Sequence, residues 1–217
     1  MTHRSSDPGI CLIAAAESGT AALARIAAAL EATRAVTVIL TAPVGGVLDP
    51  AIARPLVEMA QQRKVATLIA DDVPAARATG ADGVHLSWRP EIEEAYEAAR
   101  GALGPDAIVG ADAGRSRHDA MTLGETGADY VAFGPTAEAD GPDGARETRR
   151  DLVAWWAEVF VVPVVAFDVG TAGEARDLIA SGADFVAVRL PHASEANNDA
   201  AWASDLVAAL GAPVSTA

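Results

Sequence analysis

The sequence predicts an α/β protein with the fold of a single-domain (β/α)8 TIM barrel. The chain has 217 residues, 51% of them hydrophobic, which suits one large domain. The tripeptide Gly-Ala-Asp recurs at residues 80–82, 127–129 and 182–184, each time before an apolar run. Eight strand-like segments also alternate with eight helix-like ones, and no linker or change of composition divides them.

Each Gly-Ala-Asp segment is typical of a junction between a helix and a buried parallel strand. Glycine accepts the left-handed conformation that often ends a helix. The run after each segment shows little polar alternation, as in strands covered on both faces. The copies are roughly 50 residues apart, about the length of two strand-helix units. The repeat therefore predicts parallel strands joined by helical crossovers.

The elements follow in chain order. The apolar runs predict strands at 10–14, 36–40, 66–70, 83–86, 108–111, 130–134, 162–167 and 185–189. The segments between them predict helices at 20–32, 50–63, 73–79, 91–102, 116–126, 151–160, 171–181 and 199–210. We expect a barrel over 9–212 with flexible tails at 1–8 and 213–217. A doubly wound open sheet is the alternative, but no Gly-x-Gly-x-x-Gly follows the first strand.

Composition argues against several classes of partner. The net charge is −14 and Lys64 is the only lysine, so we expect binding neither to nucleic acid nor to an anionic membrane surface. Cys11 is the only cysteine, which excludes an internal disulfide, and we interpret it as a small buried apolar residue. No apolar run is long enough to span a membrane, and the first residues lack the apolar core of a signal peptide. We therefore expect a cytoplasmic protein, and assembly into a homo-oligomer stays open.

In such a barrel the functional groups lie where strands end and the following loops begin. The side chains at these positions are Asp71, Asp72, Ser87, Trp88, Arg89, Asp112, Arg115, Pro135, Asp168, Arg189 and His192. Carboxylates and arginines in one rim suit an anionic ligand held by arginine, with a divalent metal at Asp71 or Asp72. Gly170 and Thr171 open a predicted helix, whose backbone N–H groups could bind a phosphate.

Four segments also carry a family pattern in a fixed order. They are Leu-Ile-Ala-Asp-Asp at 68–72, Ala-Asp-Gly-Val-His-Leu at 81–86, Gly-Ala-Asp-Tyr-Val-Ala-Phe-Gly-Pro at 127–135 and Val-Pro-Val-Val-Ala-Phe at 162–167. Together they resemble successive blocks of the thiamine-phosphate synthase and thiazole tautomerase family. Ser-Arg-His-Asp-Ala-Met at 116–121 further resembles a divergent alphaproteobacterial branch of that family.

The resemblance implies a TIM barrel that acts in thiamine biosynthesis. The implied reaction joins hydroxymethylpyrimidine diphosphate to thiazole phosphate with Mg²⁺ and releases pyrophosphate. A small phosphorylated ligand is then the expected partner, and Asp71 matches one carboxylate of the family's magnesium site.

Several positions depart from the family pattern, and each of them lies at or just after the end of a predicted strand. This chain has Ala70 where the family has its pyrimidine-binding asparagine, Thr41-Ala42-Pro43 where the family has cations that hold the diphosphate, and Ser87-Trp88 where it has Gly-Gln. It has Pro135 at the position of the tautomerase histidine and Asp168-Val169 at the Gly-Gly phosphate turn. The loop at 136–144 is acidic. Because a leaving diphosphate must be neutralised as its bond breaks, these departures predict a degenerate or rebuilt active site.

The candidate site residues fall into three groups. They are His85, Asp112 and Arg115 for catalysis, Gly170, Thr171 and Arg189 for phosphate binding, and Asp71 for the metal. Structural interpretations stay open beside these roles. His85 could be a core or lumen residue, Asp71 could pair with a rim arginine, and Thr171 could simply cap a helix.

Two functional hypotheses follow. The first is a thiamine-phosphate-synthase-type transferase with a rebuilt site that uses Asp71, Asp112, Arg115 and Arg189. The second is a non-catalytic binding or regulatory barrel for a phosphorylated thiamine precursor or another anion. A barrel with an altogether new substrate is a third possibility.

Overall fold

In the part of the chain that the structure describes, eight parallel strands alternate with eight helices, and the strands close into a barrel in the order β1 to β8, with β8 pairing to β1. The computed structural model describes residues 8–135, 141–191 and 199–211. The strands are β1 (Gly9–Ala15), β2 (Thr37–Thr41), β3 (Ala66–Ala70), β4 (Gly83–Leu86), β5 (Ile108–Asp112), β6 (Tyr130–Phe133), β7 (Val164–Val169) and β8 (Phe185–Arg189). The helices are α1 (Thr20–Thr33), α2 (Pro50–Gln62), α3 (Val73–Thr79), α4 (Ile92–Leu103), α5 (Arg117–Glu125), α6 (Gly141–Val159), α7 (Ala172–Ala180) and α8 (Asp199–Gly211). The predicted (β/α)8 TIM barrel is confirmed.

The three Gly-Ala-Asp segments form the same backbone junction. Gly80, Gly127 and Gly182 have φ values of 75°, 94° and 103°, a region that favours glycine. Each aspartate then makes two hydrogen bonds to one residue near the start of the preceding strand. The aspartate carboxylate accepts that residue's backbone N–H, and the aspartate's own backbone N–H donates to that residue's carbonyl. The pairs are Asp82 with Thr67 (2.7 and 2.8 Å), Asp129 with Val109 (2.7 and 3.1 Å) and Asp184 with Val164 (2.8 and 3.0 Å). The repeat therefore has a structural role, which is to connect neighbouring strands through these hydrogen bonds.

The barrel interior is built from alternate strand residues. One apolar cluster gathers Cys11, Ile13, Ile39, Leu68, Tyr130, Ala132, Val165, Phe167 and Ala187. The other strand residues pack with the helices in a second, larger cluster. Because side chains alternate along each strand, this division places the first cluster inside the barrel. Cys11 is buried, as the sequence predicted, and burial raises the pKa of its thiol to about 12.

The predicted start of α6 was wrong. The sequence indicated a helix from residue 151 after an acidic loop, whereas α6 begins ten residues earlier, at Gly141. The glycines at 141 and 144 and the acids around them favoured a loop, but Pro142 is compatible with the first turn of a helix. The extra turns bring Arg149 against the barrel, where its side chain is 2% exposed.

Other sequence predictions fall outside the described residues or concern membranes. The predicted tails at 1–8 and 213–217 lie, apart from Pro8, outside the described residues, as do His192 and positions 136–140 of the acidic loop. Among the residues that the structure describes, no helix combines the length and apolarity needed to cross a membrane.

Candidate functional site

Asp71 lies directly after β3 and is tied to the loop after β4. Its carboxylate accepts hydrogen bonds from the backbone N–H of Ser87 at 2.8 Å and from the Ser87 hydroxyl at 2.6 Å, and it forms an ion pair with Arg89. Its φ of 58° is in the left-handed region, which aspartate and asparagine adopt more readily than most residues. The ion-pair interpretation of Asp71 is therefore confirmed, and its role as a metal ligand stays a prediction.

A second aspartate-arginine pair lies on the opposite side of the barrel. Asp168, within β7, binds the guanidinium of Arg189 at the end of β8 through two bonds of 3.0 and 2.9 Å. Asp168 also has a positive φ, 54°, and the pairing of β7 with β8 shifts register between Ala166 and Val169. Arg189, a predicted phosphate ligand, is thus held by a carboxylate in this structure.

The predicted phosphate turn before α7 is also occupied by a carboxylate. Thr171 caps the helix by accepting the N–H of Glu174 at 3.1 Å. The Glu174 carboxylate in turn accepts the N–H of Gly170 at 3.0 Å. The three predicted phosphate ligands, Gly170, Thr171 and Arg189, lie near the ends of β7 and β8. Gly170 and Thr171 are bonded to Glu174, and Arg189 is bonded to Asp168.

Sequence analysis missed Arg149, which joins three elements at this end of the barrel. From α6 it donates to the carbonyl of Phe133 at 3.0 Å, to the carbonyl of Phe167, and to Glu174 at 2.9 Å. Burial lowers the pKa of the guanidinium, and Glu174 opposes that shift. A helical pattern starting at 141 would have revealed it, because Arg149 shares a face with the buried Val153 and Trp156.

Asp112 ends β5 and is 8% exposed. Its Oδ1 accepts the N–H of Gly114 at 2.7 Å and that of Gly134 at 3.2 Å. Burial raises the pKa of its carboxyl to about 6, although these two bonds and Arg149 act in the opposite direction. A carboxyl with a pKa close to neutrality can exchange a proton at physiological pH, which fits its predicted catalytic role.

His85 lies inside the barrel, fully buried. Its Nδ1 is 2.9 Å from the Tyr130 hydroxyl, and its ring stacks on Phe167 with centroids 4.0 Å apart. Burial lowers the pKa of the imidazole to about 4, although Asp71 acts in the opposite direction, so the ring is neutral at pH 7. Its Nε2 is buried with no hydrogen-bond partner among the described residues. A backbone bond of 2.9 Å from the Asp71 N–H to the His85 carbonyl places these two candidates side by side.

The remaining candidate, Arg115, is exposed on the loop between β5 and α5.

The described residues contain no group of three His, Cys, Asp or Glu side chains arranged to hold a metal ion. A cavity of about 80 Å³ beside Arg189 is lined by Arg25 and Thr41 among others. Small-molecule sites usually measure roughly 300–1,000 Å³. This cavity is smaller than that, whereas a cavity of about 650 Å³ lined by Thr171 and Glu174 falls within the range.

Comparison with solved structures shows that the fold is widely shared. A thiamine phosphate pyrophosphorylase from Pyrococcus furiosus superposes with a TM-score of 0.68 at 23% identity, covering 93% of this chain and 95% of that one. A tryptophan synthase from Mycobacterium tuberculosis superposes with a TM-score of 0.72 at 15% identity, covering 94% of this chain and 93% of that one. At these identities the likeness shows the fold alone.

Comparison of sequences is more specific. A thiamine-phosphate synthase of Hyphomonas neptunium is 44% identical over 130 residues, which cover 60% of this chain and 58% of that protein, less than two thirds of its length. The thiamine-phosphate synthase of Erythrobacter litoralis is 37% identical over 194 residues, 87% of this chain and 85% of that protein. The family described as thiamine monophosphate synthase matches residues 10–190. The chain belongs to the thiamine monophosphate synthase family.

Proposed function

We propose that this protein couples hydroxymethylpyrimidine diphosphate to thiazole phosphate in thiamine biosynthesis, through a rebuilt site at the carboxyl ends of the strands. The observation that carries the proposal is the presence of two aspartate-arginine pairs on opposite sides of the rim, Asp71–Arg89 and Asp168–Arg189. One pair would open for the diphosphate and the other for the thiazole phosphate.

Both pairs are exposed enough to open at little cost. The side chains of Asp71 and Arg89 are 37% and 40% exposed, and those of Asp168 and Arg189 are 31% and 44% exposed. Ion pairs with this exposure stabilise a protein by about 0–1 kcal/mol. Arginine binds phosphate, like carboxylate, through charge-assisted and often bidentate hydrogen bonds, so a phosphorylated substrate can compete with the aspartate for each guanidinium.

The residues present fit magnesium only as an ion shared with the substrate. Mg²⁺ is usually bound by one or two carboxylates together with substrate phosphates and water. Asp71 would supply such a carboxylate once Arg89 leaves it, and the described part of the chain offers no three-residue cluster. The metal would contribute charge neutralisation of the leaving diphosphate.

The side chains of the rim would then have different roles in binding and in proton transfer. Arg89 would donate to diphosphate oxygens, and Arg189 would hold the thiazole phosphate near the start of α7. Asp112 could hold or release a proton near pH 6, because burial raises the pKa of its carboxyl to that value. His85, neutral at pH 7 and fully buried against Tyr130 and Phe167, would support the site from inside the barrel rather than balance negative charge.

A specific observation favours the second candidate, a binding barrel without catalysis. Glu174 accepts the N–H of Gly170, which directly follows residues 168–169, where the family pattern has its phosphate turn, and the buried Arg149 holds Glu174 in place. A carboxylate at that position repels an incoming phosphate. Such a barrel would bind a phosphorylated thiamine precursor weakly and would not turn it over.

The experiment is an assay of thiamine phosphate formation with both precursors and Mg²⁺. Asp71→Asn keeps the side-chain volume and tolerates the left-handed φ, so it removes the charge and one of the two acceptor oxygens. Asp72→Asn is the matched control, because Asp72 caps α3 through the Ala75 N–H at 2.8 Å and asparagine caps equally well. Turnover that survives in Asp72→Asn and is lost in Asp71→Asn supports the enzyme. Absence of turnover in the unsubstituted protein, with a rise in melting temperature on adding thiazole phosphate, supports the binding barrel.

Both candidates take a small phosphorylated ligand as partner and place the protein in the cytoplasm. Size-exclusion chromatography with light scattering would test whether it forms a homo-oligomer.

A further inference from the structure

Trp88 is exposed at the end of the barrel that carries the candidate site. It lies on the loop between β4 and α4, and its exposed fraction is 51%. The other three tryptophans are more enclosed: Trp156 is fully buried, and Trp155 and Trp202 are half-buried. Tryptophan has a large apolar surface that normally gains by burial, so an indole left half open among strand ends is unusual.

The indole is held in place by a glycine of the neighbouring loop. Gly114, between β5 and α5, has a φ of 59°, and a Cβ built on it would lie 2.6 Å from Cδ1, 2.7 Å from Nε1 and 2.8 Å from Cγ of Trp88. Only a residue without a Cβ lets the pyrrole part of the ring approach the backbone this closely. The contact fixes the ring while leaving half of its surface open.

The two loops that carry Trp88 and Gly114 also carry polar groups. The N–H of Gly114, which supports the indole, also donates to the Asp112 carboxylate at 2.7 Å. The residues on either side of Trp88, Ser87 and Arg89, both bind Asp71. An open aromatic surface near a carboxyl group suits a planar ring with ring nitrogens or an amino group, because the ring stacks and its polar edge bonds to the carboxyl.

We propose that Trp88, seated on Gly114, is a stacking surface for an aromatic nitrogen heterocycle, whose polar edge bonds to Asp112. The aminopyrimidine ring is the intended occupant, and this choice of ring rests on the proposed function. The family pattern has Gly-Gln where this chain has Ser87 and Trp88.

The test uses rings without phosphate, so that it does not depend on the ion pairs or on turnover. Free hydroxymethylpyrimidine is titrated into the protein by calorimetry. Replacing a stacking aromatic residue with alanine usually costs about 5- to 150-fold in affinity. We expect a loss in this range for Trp88→Ala and a much smaller loss for Trp88→Phe. Gly114→Ala, which displaces the indole and strains the backbone at a φ of 59°, should weaken binding as well. Circular dichroism checks that each variant is folded.

Fluorescence gives a second readout. Stacking on Trp88 should quench the emission of this exposed indole, and the quenching should disappear in Trp88→Phe while the calorimetric signal persists. Binding of the thiazole alcohol instead of the pyrimidine would support the stacking surface and assign it to the other ring.

Three results would overturn the proposal: equal affinity in Trp88→Ala, binding of neither ring at millimolar concentration, or equal binding of the non-aromatic cyclohexylmethanol. Failure of the coupling reaction is a separate outcome. Ring binding that depends on Trp88 without any turnover would refute the proposed enzyme and leave the stacking surface standing.

Discussion

Replacing Arg149 with methionine should destabilise the protein more than any other single change at the rim. The side chain is 2% exposed and donates to two carbonyls at the ends of β6 and β7 and to Glu174. Methionine has similar length but no donors, so both carbonyls and the Glu174 carboxylate would lose a partner. A buried polar group without a partner costs free energy that water no longer compensates.

Removing one member of a buried ion pair costs about 3–5 kcal/mol in the free energy of unfolding. For a domain of this size each kcal/mol lowers the melting temperature by about 2–4 °C, so we expect a fall of roughly 6–20 °C. The assay is urea unfolding followed by both tryptophan fluorescence and circular dichroism, because coincident curves are needed to treat the transition as two-state. The double variant Arg149→Met/Glu174→Met should recover part of the loss, since no carboxylate is then left unpaired.

The neighbouring arginine provides the control. Arg150 is 52% exposed and lies 3.9 Å from Glu147 one helical turn away. Arg150→Met should change stability by less than about 0.5 kcal/mol. A cost below about 1 kcal/mol for Arg149→Met, or equal costs for the two variants, would refute the structural role assigned to Arg149.

Three further predictions concern Asp112, Asp129 and Cys11. Burial raises the pKa of Asp112 from 3.8 to about 6, so its contribution to stability is present below pH 3.8 and is lost as the pH rises through 6. The stability of Asp112→Asn relative to the unsubstituted protein should therefore rise by up to about 3 kcal/mol between acid and neutral pH, and a difference independent of pH would contradict this. Asp129→Ala removes the carboxylate that holds the Val109 N–H at 2.7 Å and should cost about 1.5–3 kcal/mol by urea unfolding, whereas Asp129→Asn, which keeps an acceptor, should cost less. The Cys11 thiol has its pKa raised to about 12 by burial, so it should react with Ellman's reagent only on unfolding, and rapid labelling of the folded protein would contradict its burial.

The fold could be predicted because its signals are local. Gly80, Gly127 and Gly182 end helices through their own backbone conformation, and the apolar runs that follow are long enough to identify as strands. The largest error in element boundaries, at the start of α6, arose because residues 141–144 have the composition of a loop. Pro142 in the first turn and the helix-forming residues after it outweigh that composition. The prediction for β7 was also wrong by two residues, since the strand covers 164–169 rather than 162–167 and therefore includes Asp168.

The site could be predicted only as a set of positions. That Asp71 and Arg189 lie at strand ends follows from the barrel, but their partners Arg89 and Asp168 are set by loop geometry that no local pattern encodes. The sequence indicated that Thr171 could cap α7, and the structure adds the contacts of Glu174. Its bond to Gly170 depends on the length of the turn before α7. These partners determine which charged groups are available to a ligand. The binding properties of the rim could therefore not be predicted from the sequence alone.

The most direct test of the account is the effect of each rim arginine on the Michaelis constant of each substrate in the coupling reaction. The account predicts that Arg89→Met raises KM for hydroxymethylpyrimidine diphosphate by about tenfold to a hundredfold and leaves KM for thiazole phosphate unchanged. Arg189→Met should do the reverse. Turnover that is absent from the unsubstituted protein, or KM values that neither variant changes, would contradict the claim that the two ion pairs open to receive the two substrates.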